Sequence, residues 1–273
     1  LEAGGHAENT LVVYISDHGA QFPRGKFSVY EGGLRIPMIV RWPGRAAAGL
    51  VRNELVSTVD LLPTALEAAG VPPPPHLLGH ALQPLLRAGE VADWREYIFA
   101  MTTGAAPRAA FVQESVRDRR WKLIWTPGQP RPSAHAGIYL DEKHTPFVAS
   151  GLLEREQSGL SPLVAEALRR YRHPPPIELY DLLNDPHETK NLADDPAHSA
   201  EQRRLLAALQ AMQQKMVDPF VDAPNLEAYL REQVEQRKWS QKRDDGTTET
   251  AYPPNFRWSH IDLFREWRES RSR

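Results

Sequence analysis

Five consecutive apolar residues near the start of the chain, Leu-Val-Val-Tyr-Ile at positions 11–15, constrain the fold more than any other feature. The run has no alternation of apolar and polar residues, and that pattern favours a strand covered on both faces of a parallel sheet. A second apolar run at 35–41 predicts another strand, and apolar residues at helical spacing predict a helix at 59–69, ended by Gly70. Residues 1–94 are therefore interpreted as part of an α/β domain.

The character of the sequence changes at about residue 95. Short apolar runs predict strands at 97–100, 110–116, 121–125 and 178–182. An amphipathic helix is predicted at 200–217, and the Pro-, Gly- and His-rich region 127–175 is predicted to be irregular apart from a short helix at 162–172. We interpret residues 95–220 as a smaller α+β subdomain, with an antiparallel sheet and a packed helix, and residues 221–273 as a partly irregular tail.

Composition narrows the classes of partner. A formal net charge of -2 over 273 residues gives no reason to expect a nucleic acid or a membrane surface, because both favour a basic face. No apolar stretch approaches the roughly 20 residues that cross a bilayer. The chain has no cysteine, which excludes disulfides and thiolate chemistry within it. Because it opens close to a predicted core strand without a signal peptide, we expect it to be the C-terminal part of a longer protein. Its oligomeric state is not readable from the sequence.

Candidate site residues follow the first predicted strand. Asp17 and His18 come directly after it, where open α/β sheets bind their ligands. A carboxylate beside an imidazole suits a divalent cation, although Asp-His-Gly also suits an ordinary turn. Lys26, in the Gly-rich loop that follows, could hold an anionic oxygen of a substrate, or could simply be solvated. Arg24 competes for that role, or faces solvent or an acidic group of a substrate.

Several other polar residues are interpreted as structural. Asp60 has the position of a helix cap, and Asp181 and Glu188 are predicted to fix the turn that follows their strand. Tyr30, Glu31 and Arg35 lie around a Gly-Gly pair and could approach a substrate, but a structural role in the loop is the favoured interpretation.

The order of the motifs is more specific than any one of them. Successive stretches read Ser-Asp-His-Gly at 16–19, Gly-Lys at 25–26, Tyr-Glu-Gly-Gly-Leu-Arg-Ile-Pro at 30–37, Trp-Pro-Gly at 42–44, Ser-Thr-Val-Asp-Leu-Leu-Pro-Thr at 57–64 and Glu-Leu-Tyr-Asp-Leu-Leu-Asn-Asp-Pro-His-Glu-Thr at 178–189. In this order they resemble the sulfatase family, over residues 1 to about 220. The stretch at 22–26, and Asp-Pro-Phe-Val at 218–221, most resemble the heparan N-sulfatases (N-sulfoglucosamine sulfohydrolases, or sulfamidases).

The resemblance implies an alkaline-phosphatase-like α/β sandwich with a mainly parallel sheet, of which this chain would hold the C-terminal portion. It also implies a calcium ion held in part by Asp17 and His18, although heparan N-sulfatases have Asn where this chain has His18. Lys26 matches the basic residue that contacts the sulfate group, where those enzymes have Arg. The family's formylglycine nucleophile is made within a Cys/Ser-x-Pro-x-Arg motif, which this chain lacks, so we expect it upstream.

The implied activity is that of a sulfuric ester or sulfamate hydrolase that removes sulfate from a sulfated carbohydrate, in a periplasmic, secreted or lysosome-like compartment. The chain alone is expected to be inactive, because it carries only part of the catalytic apparatus. Two alternatives stay open. One is a phosphonate or phosphate ester hydrolase of the same superfamily, which shares the Asp-His pair, and the other is an incomplete fragment that acts as a structural or interaction module.

Overall fold

The computed structural model describes residues 1–104, 110–140, 159–242, 248–250 and 259–271. The strands in these residues are β1 Val12–Ile15, β2 Met38–Arg41, β3 Ile98–Thr102, β4 Gln113–Arg117, β5 Trp121–Trp125, β6 Ile177–Asp181, β7 Ser240–Lys242 and β8 Thr248–Thr250. The helices are α1 Glu31–Leu34, α2 Leu61–Ala68, α3 Ala134–Leu140, α4 Pro162–Arg172, α5 Ser199–Met216, α6 Ala223–Trp239 and α7 Ser259–Arg271.

The chain divides into two compact units. The first consists of Leu1–His18 and Arg35–Ile98, and the second consists of Gly19–Leu34 and Phe99–Arg273. The loop 19–34 therefore groups with the second unit, although the sequence places it between two strands of the first.

The first unit contains the two strands predicted from the apolar runs. β1 pairs antiparallel with β2, so that Val12 lies opposite Arg41 and Ile15 lies opposite Met38. The sequence predicts a parallel sheet for the first of these strands, whereas its partner among the described residues is antiparallel, because an apolar run specifies burial but not the direction of pairing. Within the described part of the chain, the face of this ribbon that carries Tyr14 and Ile39 is not covered, since these two residues are 63% and 62% exposed.

Asp60, at the start of α2, connects three segments of the first unit. Its side chain is fully buried, and its carboxylate accepts from the backbone N–H of Ser57 at 2.8 Å and of His80 at 2.8 Å. Arg95 completes the set with an ion pair at 2.5 Å. The predicted role as a simple cap is therefore too narrow: the carboxylate binds donors from outside α2 rather than the helix's own N–H groups.

The second unit is built on a four-stranded sheet in the order β3-β4-β5-β6. β5 pairs antiparallel with both β4 and β6, which confirms the antiparallel sheet predicted for this region. Val116, Leu123 and Leu179 lie side by side on adjacent strands and are completely buried. The centre of this sheet therefore forms part of the core.

The predicted amphipathic helix is confirmed as α5, which lies against β4 and β5. Leu205 and Leu209 are buried on its inner face, at the four-residue spacing that places side chains on one face of a helix. The helix ends at Val217, which adopts a left-handed conformation with φ of 49°.

The tail contains more helix than predicted. α6 and α7 both lie within residues 221–273, and α6 contributes Leu226 to a buried cluster with Val112 and Phe220. In the predicted irregular region, α3 occupies Ala134–Leu140, and residues 141–158 lie outside the described residues. No helix in the described part of the chain is long and apolar enough to cross a membrane.

Candidate active site

Asp17 and His18 lie together just beyond the end of β1. The backbone N–H of His18 donates to Asp17 Oδ1 at 3.0 Å, and Nε2 of the imidazole lies 3.2 Å from Oδ2. The hydroxyl of Ser16 donates to the backbone oxygen of His18 at 2.7 Å and tightens the turn. The carboxylate is 83% exposed and the imidazole 34%, so both groups are accessible.

This donor set fits a divalent cation in part. A carboxylate oxygen is a preferred calcium ligand, and an imidazole nitrogen is a softer donor that also binds divalent metals. Among the described residues no group of three or more acidic, His or Cys side chains surrounds a possible metal position. Asp17 and His18 therefore supply two donors, while calcium takes about six to eight oxygen ligands.

Lys26 lies in the second unit, in a loop held by its own backbone. Its N–H donates to the oxygen of Ala20 at 3.0 Å, and Gly25 N–H donates to Phe22 at 2.8 Å. The ammonium group lies 5.4 Å from the ring centroid of Phe27, close enough for a cation–π contact. The loop thus fixes the backbone of Lys26. Asp17 and His18 belong to the first unit, whereas Lys26 belongs to the second.

Two glycines of this loop pack against backbone. A Cβ on Gly19 would lie 1.8 Å from the oxygen of Gly32, and a Cβ on Gly25 would lie 2.0 Å from the oxygen of Ala20. Neither position has room for a side chain, since a backbone oxygen cannot swing away as a flexible side chain can. The Gly residues in this part of the sequence therefore serve close approach of the chain to itself.

Arg24 fastens the same loop to the turn after β6. Its guanidinium donates to the backbone oxygens of His187 at 2.9 Å and of Glu188 at 2.6 Å, and lies 4.1 Å from the ring centroid of Tyr30. Burial lowers the pKa of Arg24, but Tyr30 and nearby carboxylates outweigh burial and raise it. These contacts give Arg24 a structural part in the described chain, and its contact with substrate stays a prediction.

A buried ionic cluster anchors the other end of the loop. Glu31 and Glu188 both pair with Lys122, at 3.1 Å and 2.9 Å, and Arg117 also pairs with Glu31. Glu188 also accepts from the backbone N–H of Glu31 at 2.7 Å. We name these four residues, Glu31, Arg117, Lys122 and Glu188, the Lys122 cluster. It carries two negative and two positive charges, so burial leaves no uncompensated charge.

A second buried carboxylate lies beside the loop. The hydroxyls of Tyr30 and Tyr180 both donate to Glu178, the former at 2.9 Å. Burial raises the pKa of the Glu178 carboxyl, while the tyrosine hydrogen bonds and the positive charges of Arg24 and Arg170 oppose that shift. Three residues of the loop therefore make polar contacts with the β4–β6 sheet or the turn after β6, and those of Tyr30 and Glu31 are buried: Arg24, Tyr30 and Glu31.

The sequence interpretation missed Lys122 and Glu178, which are charged residues inside strands. Both alternate with apolar neighbours in a way that suits a solvated face, and only their distant partners show that they are buried. For Asp181 the interpretation is confirmed, because its carboxylate accepts from Asn184 in the turn at 2.8 Å and from Arg120 at 2.7 Å. For Glu188 the interpretation is too narrow, since its carboxylate also accepts from the backbone N–H of Glu31 in the loop 19–34.

The sequence of this chain is similar to those of known proteins. Residues 22–130 match the family described as N-sulphoglucosamine sulphohydrolase, C-terminal. Human N-sulphoglucosamine sulphohydrolase is 31% identical over 235 residues, which are 82% of this chain and 45% of the human protein. An ulvan-active sulfatase of Formosa agariphila is 29% identical over 204 residues, which are 73% of this chain and 36% of that protein. The chain thus spans less than half the length of these curated relatives.

Solved structures agree on the fold. A protein in complex with its substrate D-glucosamine-2-N,6-O-disulfate gives a TM-score of 0.53 at 25% identity, over 80% of this chain and 37% of that one. The phosphonate monoester hydrolase of Silicibacter pomeroyi gives a TM-score of 0.54 at 21% identity, over 93% of this chain and 41% of that one. At its lower identity, the likeness to the phosphonate hydrolase concerns the fold alone.

Proposed function

Because this chain belongs to the sulfatase family, whose C-terminal part it matches, we propose that it forms the C-terminal part of an enzyme that removes sulfate from a sulfated glycan. The bond cleaved is the O–S bond of a sulfate ester or the N–S bond of an N-sulfo group. The similarity to human N-sulphoglucosamine sulphohydrolase over 82% of the chain supports an N-sulfo group as one candidate.

The observation that carries this proposal is the accessible Asp17 and His18 pair beyond β1. Its carboxylate and imidazole lie 3.2 Å apart and are the right donor types for part of a divalent-cation site. An isolated Asp-His dipeptide of this kind also suits an ordinary turn. In the sulfatase family, however, these two positions match residues that bind calcium, and the proposed role of the pair as metal ligands rests on that match.

The residues of this chain have distinct parts in the proposed reaction. Asp17 and His18 hold the cation, calcium in this family, which when bound supplies positive charge that stabilises the sulfate oxygens. Lys26 binds a sulfate oxygen through its ammonium group, a compact charge on a flexible stem. Arg24 and the Lys122 cluster keep the backbone of the Lys26 loop in place. The formylglycine nucleophile is supplied by sequence upstream, since no Cys/Ser-x-Pro-x-Arg motif occurs in this chain.

The main alternative is a phosphonate or phosphate ester hydrolase of the same superfamily. It is the weaker proposal, because the likeness to phosphonate monoester hydrolase rests on 21% identity, whereas the relatives at about 30% identity are sulfatases. A periplasmic, secreted or lysosome-like compartment is proposed with the sulfatase function. An extracellular sulfatase homologue of Drosophila melanogaster, 38% identical over 123 residues, is consistent with it.

The test compares the chain alone with the protein that includes its upstream sequence. The longer protein is expected to hydrolyse an aryl sulfate or an N-sulfoglucosamine in the presence of calcium, and the chain alone is expected to be inactive. Asp17→Asn and Lys26→Ala should each lower kcat/KM by about 10²-fold or more, as losing a group that stabilises developing charge does. Arg119→Ala, at an exposed position, is the matched control.

Two results would overturn the proposal. One is turnover of a phosphonate monoester that exceeds turnover of every sulfated substrate by the longer protein. The other is full sulfatase activity of the Asp17→Asn variant, because the carboxylate would then hold no catalytic cation.

A further inference from the structure

A groove of about 410 Å³ lies in the first unit, away from Asp17 and His18. Six residues line it: Trp42, Gly44, Arg45, Gln83, Leu86 and Arg87. Its volume is within the range of about 300 to 1,000 Å³ that is usual for small-molecule sites. It is thus large enough to take a small ligand or one unit of a polymer.

The groove lies at the opposite end of the β1–β2 ribbon from the proposed cation site. Asp17 follows Ile15, whose partner is Met38, whereas Trp42 follows Arg41, whose partner is Val12. The two ends of a four-residue antiparallel ribbon are about 10 Å apart, and each site lies beyond its own end. A ligand in the groove is therefore separate from the proposed catalytic position.

The two rims of the groove are held together by backbone hydrogen bonds. Ala47 N–H donates to the oxygen of Leu86 at 2.8 Å, which joins the segment after β2 to the segment around residue 86. Arg52 donates to the oxygens of Leu85 and Gly89, both at 2.8 Å. The segment that carries Arg87 is consequently fixed by its backbone on both sides of that residue.

Positive charge is concentrated in this groove. Arg45 and Arg87 are exposed, and none of the six lining residues is acidic. The lining thus carries two guanidinium groups and no carboxylate. Guanidinium groups bind sulfate and phosphate oxygens through paired N–H donors, so the charge favours an anionic ligand.

The other lining groups favour a sugar as the carrier of that anion. Trp42 provides an aromatic ring, with the guanidinium carbon of Arg45 6.0 Å from its centroid. Such a ring offers a large apolar face with a polar edge, which suits one face of a pyranose. Gln83 donates through Nε2 to the oxygen of Thr64 at 2.9 Å, while its buried Oε1 has no partner among the described residues. A hydroxyl donor would satisfy that oxygen.

We propose that this groove is a second, non-catalytic binding site for a sulfated sugar unit. The choice of a sulfated polymer rests on the proposed function, and the site itself rests on the groove. Arg45 and Arg87 bind the sulfate groups, and Trp42 covers one face of the ring. A polysaccharide bound there is held by the same protein that desulfates it elsewhere along its length.

The test measures binding to this chain in EDTA, so that no cation site contributes. A sulfated tetrasaccharide that contains N- and O-sulfated glucosamine is titrated by calorimetry, beside its desulfated counterpart. The sulfated form is expected to bind more tightly. Arg45→Ala/Arg87→Ala should weaken it by roughly fivefold or more, as the loss of two exposed charge pairs implies, and Arg119→Ala should leave the Kd within about twofold.

Asp17→Asn separates this site from the proposed function, because it is expected to leave the Kd unchanged while it lowers kcat/KM for hydrolysis by the longer protein by about 10²-fold or more. Unchanged binding by the double arginine variant would overturn the proposal. So would equal affinity for a single-stranded oligonucleotide of matched charge, lost in the same variant, because the groove would then recognise polyanions in general. Full hydrolysis by the Asp17→Asn form of the longer protein, with this binding unchanged, would count against the catalytic proposal alone.

Discussion

The ammonium nitrogen of Lys122 lies 2.9 Å from a carboxylate oxygen of Glu188, and both side chains are buried. Lys122 is the second residue of β5, while Glu188 belongs to the turn after β6. The same ammonium group pairs with Glu31, which belongs to the loop that carries Lys26. One buried lysine therefore connects a strand of the sheet, the turn after its neighbour and the candidate substrate-binding loop.

Lys122→Met is expected to destabilise the protein strongly. The change keeps most of the length of the side chain but removes one of the two positive charges of the Lys122 cluster, while Glu31 and Glu188 stay buried. Breaking a buried ion pair from one side costs about 3–5 kcal/mol, so the free energy of unfolding in urea should fall by about that amount.

Two further variants make that measurement specific to the Lys122 cluster. Lys122→Met/Glu188→Gln should recover part of the loss, because one uncompensated charge has been removed. Arg204→Ala breaks a pair with Asp118 in which the arginine is 39% exposed, and should cost no more than about 1 kcal/mol. If Lys122→Met cost no more than Arg204→Ala, the cluster would not anchor the loop as described.

Stability should also depend on pH through Glu114. Burial, together with a hydrogen bond to Asp218 and its negative charge, raises the pKa of Glu114 from about 4.5 to about 9. The folded protein therefore keeps a proton up to about pH 9 that the unfolded chain releases near pH 4.5. The contribution is fully present below pH 4.5 and is lost as the pH rises towards 9, by on the order of 1 kcal/mol per pH unit.

Glu114→Gln should remove this dependence. The amide stays neutral at every pH, can donate to Asp218, and can keep the hydrogen bond with Gln213, which is 2.9 Å in the wild type. In urea unfolding between pH 5.5 and 8.5, the free energy of unfolding is expected to fall less steeply with pH for the variant than for the wild type. At pH 8.5 the variant is expected to be the more stable of the two. Parallel profiles for the two proteins would mean that Glu114 does not hold its proton across this range.

Calcium binding by this chain should be weak. Asp17 and His18 provide two donors where calcium takes about six to eight oxygens, so calorimetry is expected to give a Kd near the millimolar range or weaker. Asp17→Asn should abolish the heat of calcium binding. Asp118→Asn, which removes a carboxylate of the second unit, should leave it unchanged. A micromolar Kd that survives Asp17→Asn would place the calcium ligands elsewhere.

The local pattern of apolar and polar residues predicted the four strands β3 to β6 and the helices α4 and α5 of the second unit. The four-residue spacing of Leu205 and Leu209 predicts α5, and the run Trp-Lys-Leu-Ile-Trp predicts β5. Pattern did not predict that Lys122 within that run is buried, because the cause is Glu31, 91 residues earlier in the chain. Nor did it predict the direction of the β1–β2 pairing, since apolar composition reports burial and not orientation.

The candidate site shows the same limit. Asp17 and His18 are neighbours in the chain, so their proximity follows from the sequence, and family resemblance supplies the chemistry. The support of the Lys26 loop could not be predicted, because Arg24 and Glu31 reach residues more than 80 positions away. α6 was missed because most of its residues are polar, and its buried residues, such as Leu226 and Ala228, are few.

Two glycine substitutions should change stability in opposite directions. Gly19→Ala places a Cβ 1.8 Å from the backbone oxygen of Gly32, so the loop must shift, and overpacking of this kind costs about 1–3 kcal/mol. Gly137→Ala, within α3, meets nothing within 4 Å, and replacing Gly by Ala inside a helix gains about 0.5–1 kcal/mol. Urea unfolding of both variants and of the wild type measures the change in the free energy of unfolding, which should be a loss for Gly19→Ala and a gain for Gly137→Ala. A neutral Gly19→Ala would show that the loop 19–34 can relax around a side chain there. In that case the close contact between Gly19 and Gly32 would not be what holds the start of the loop.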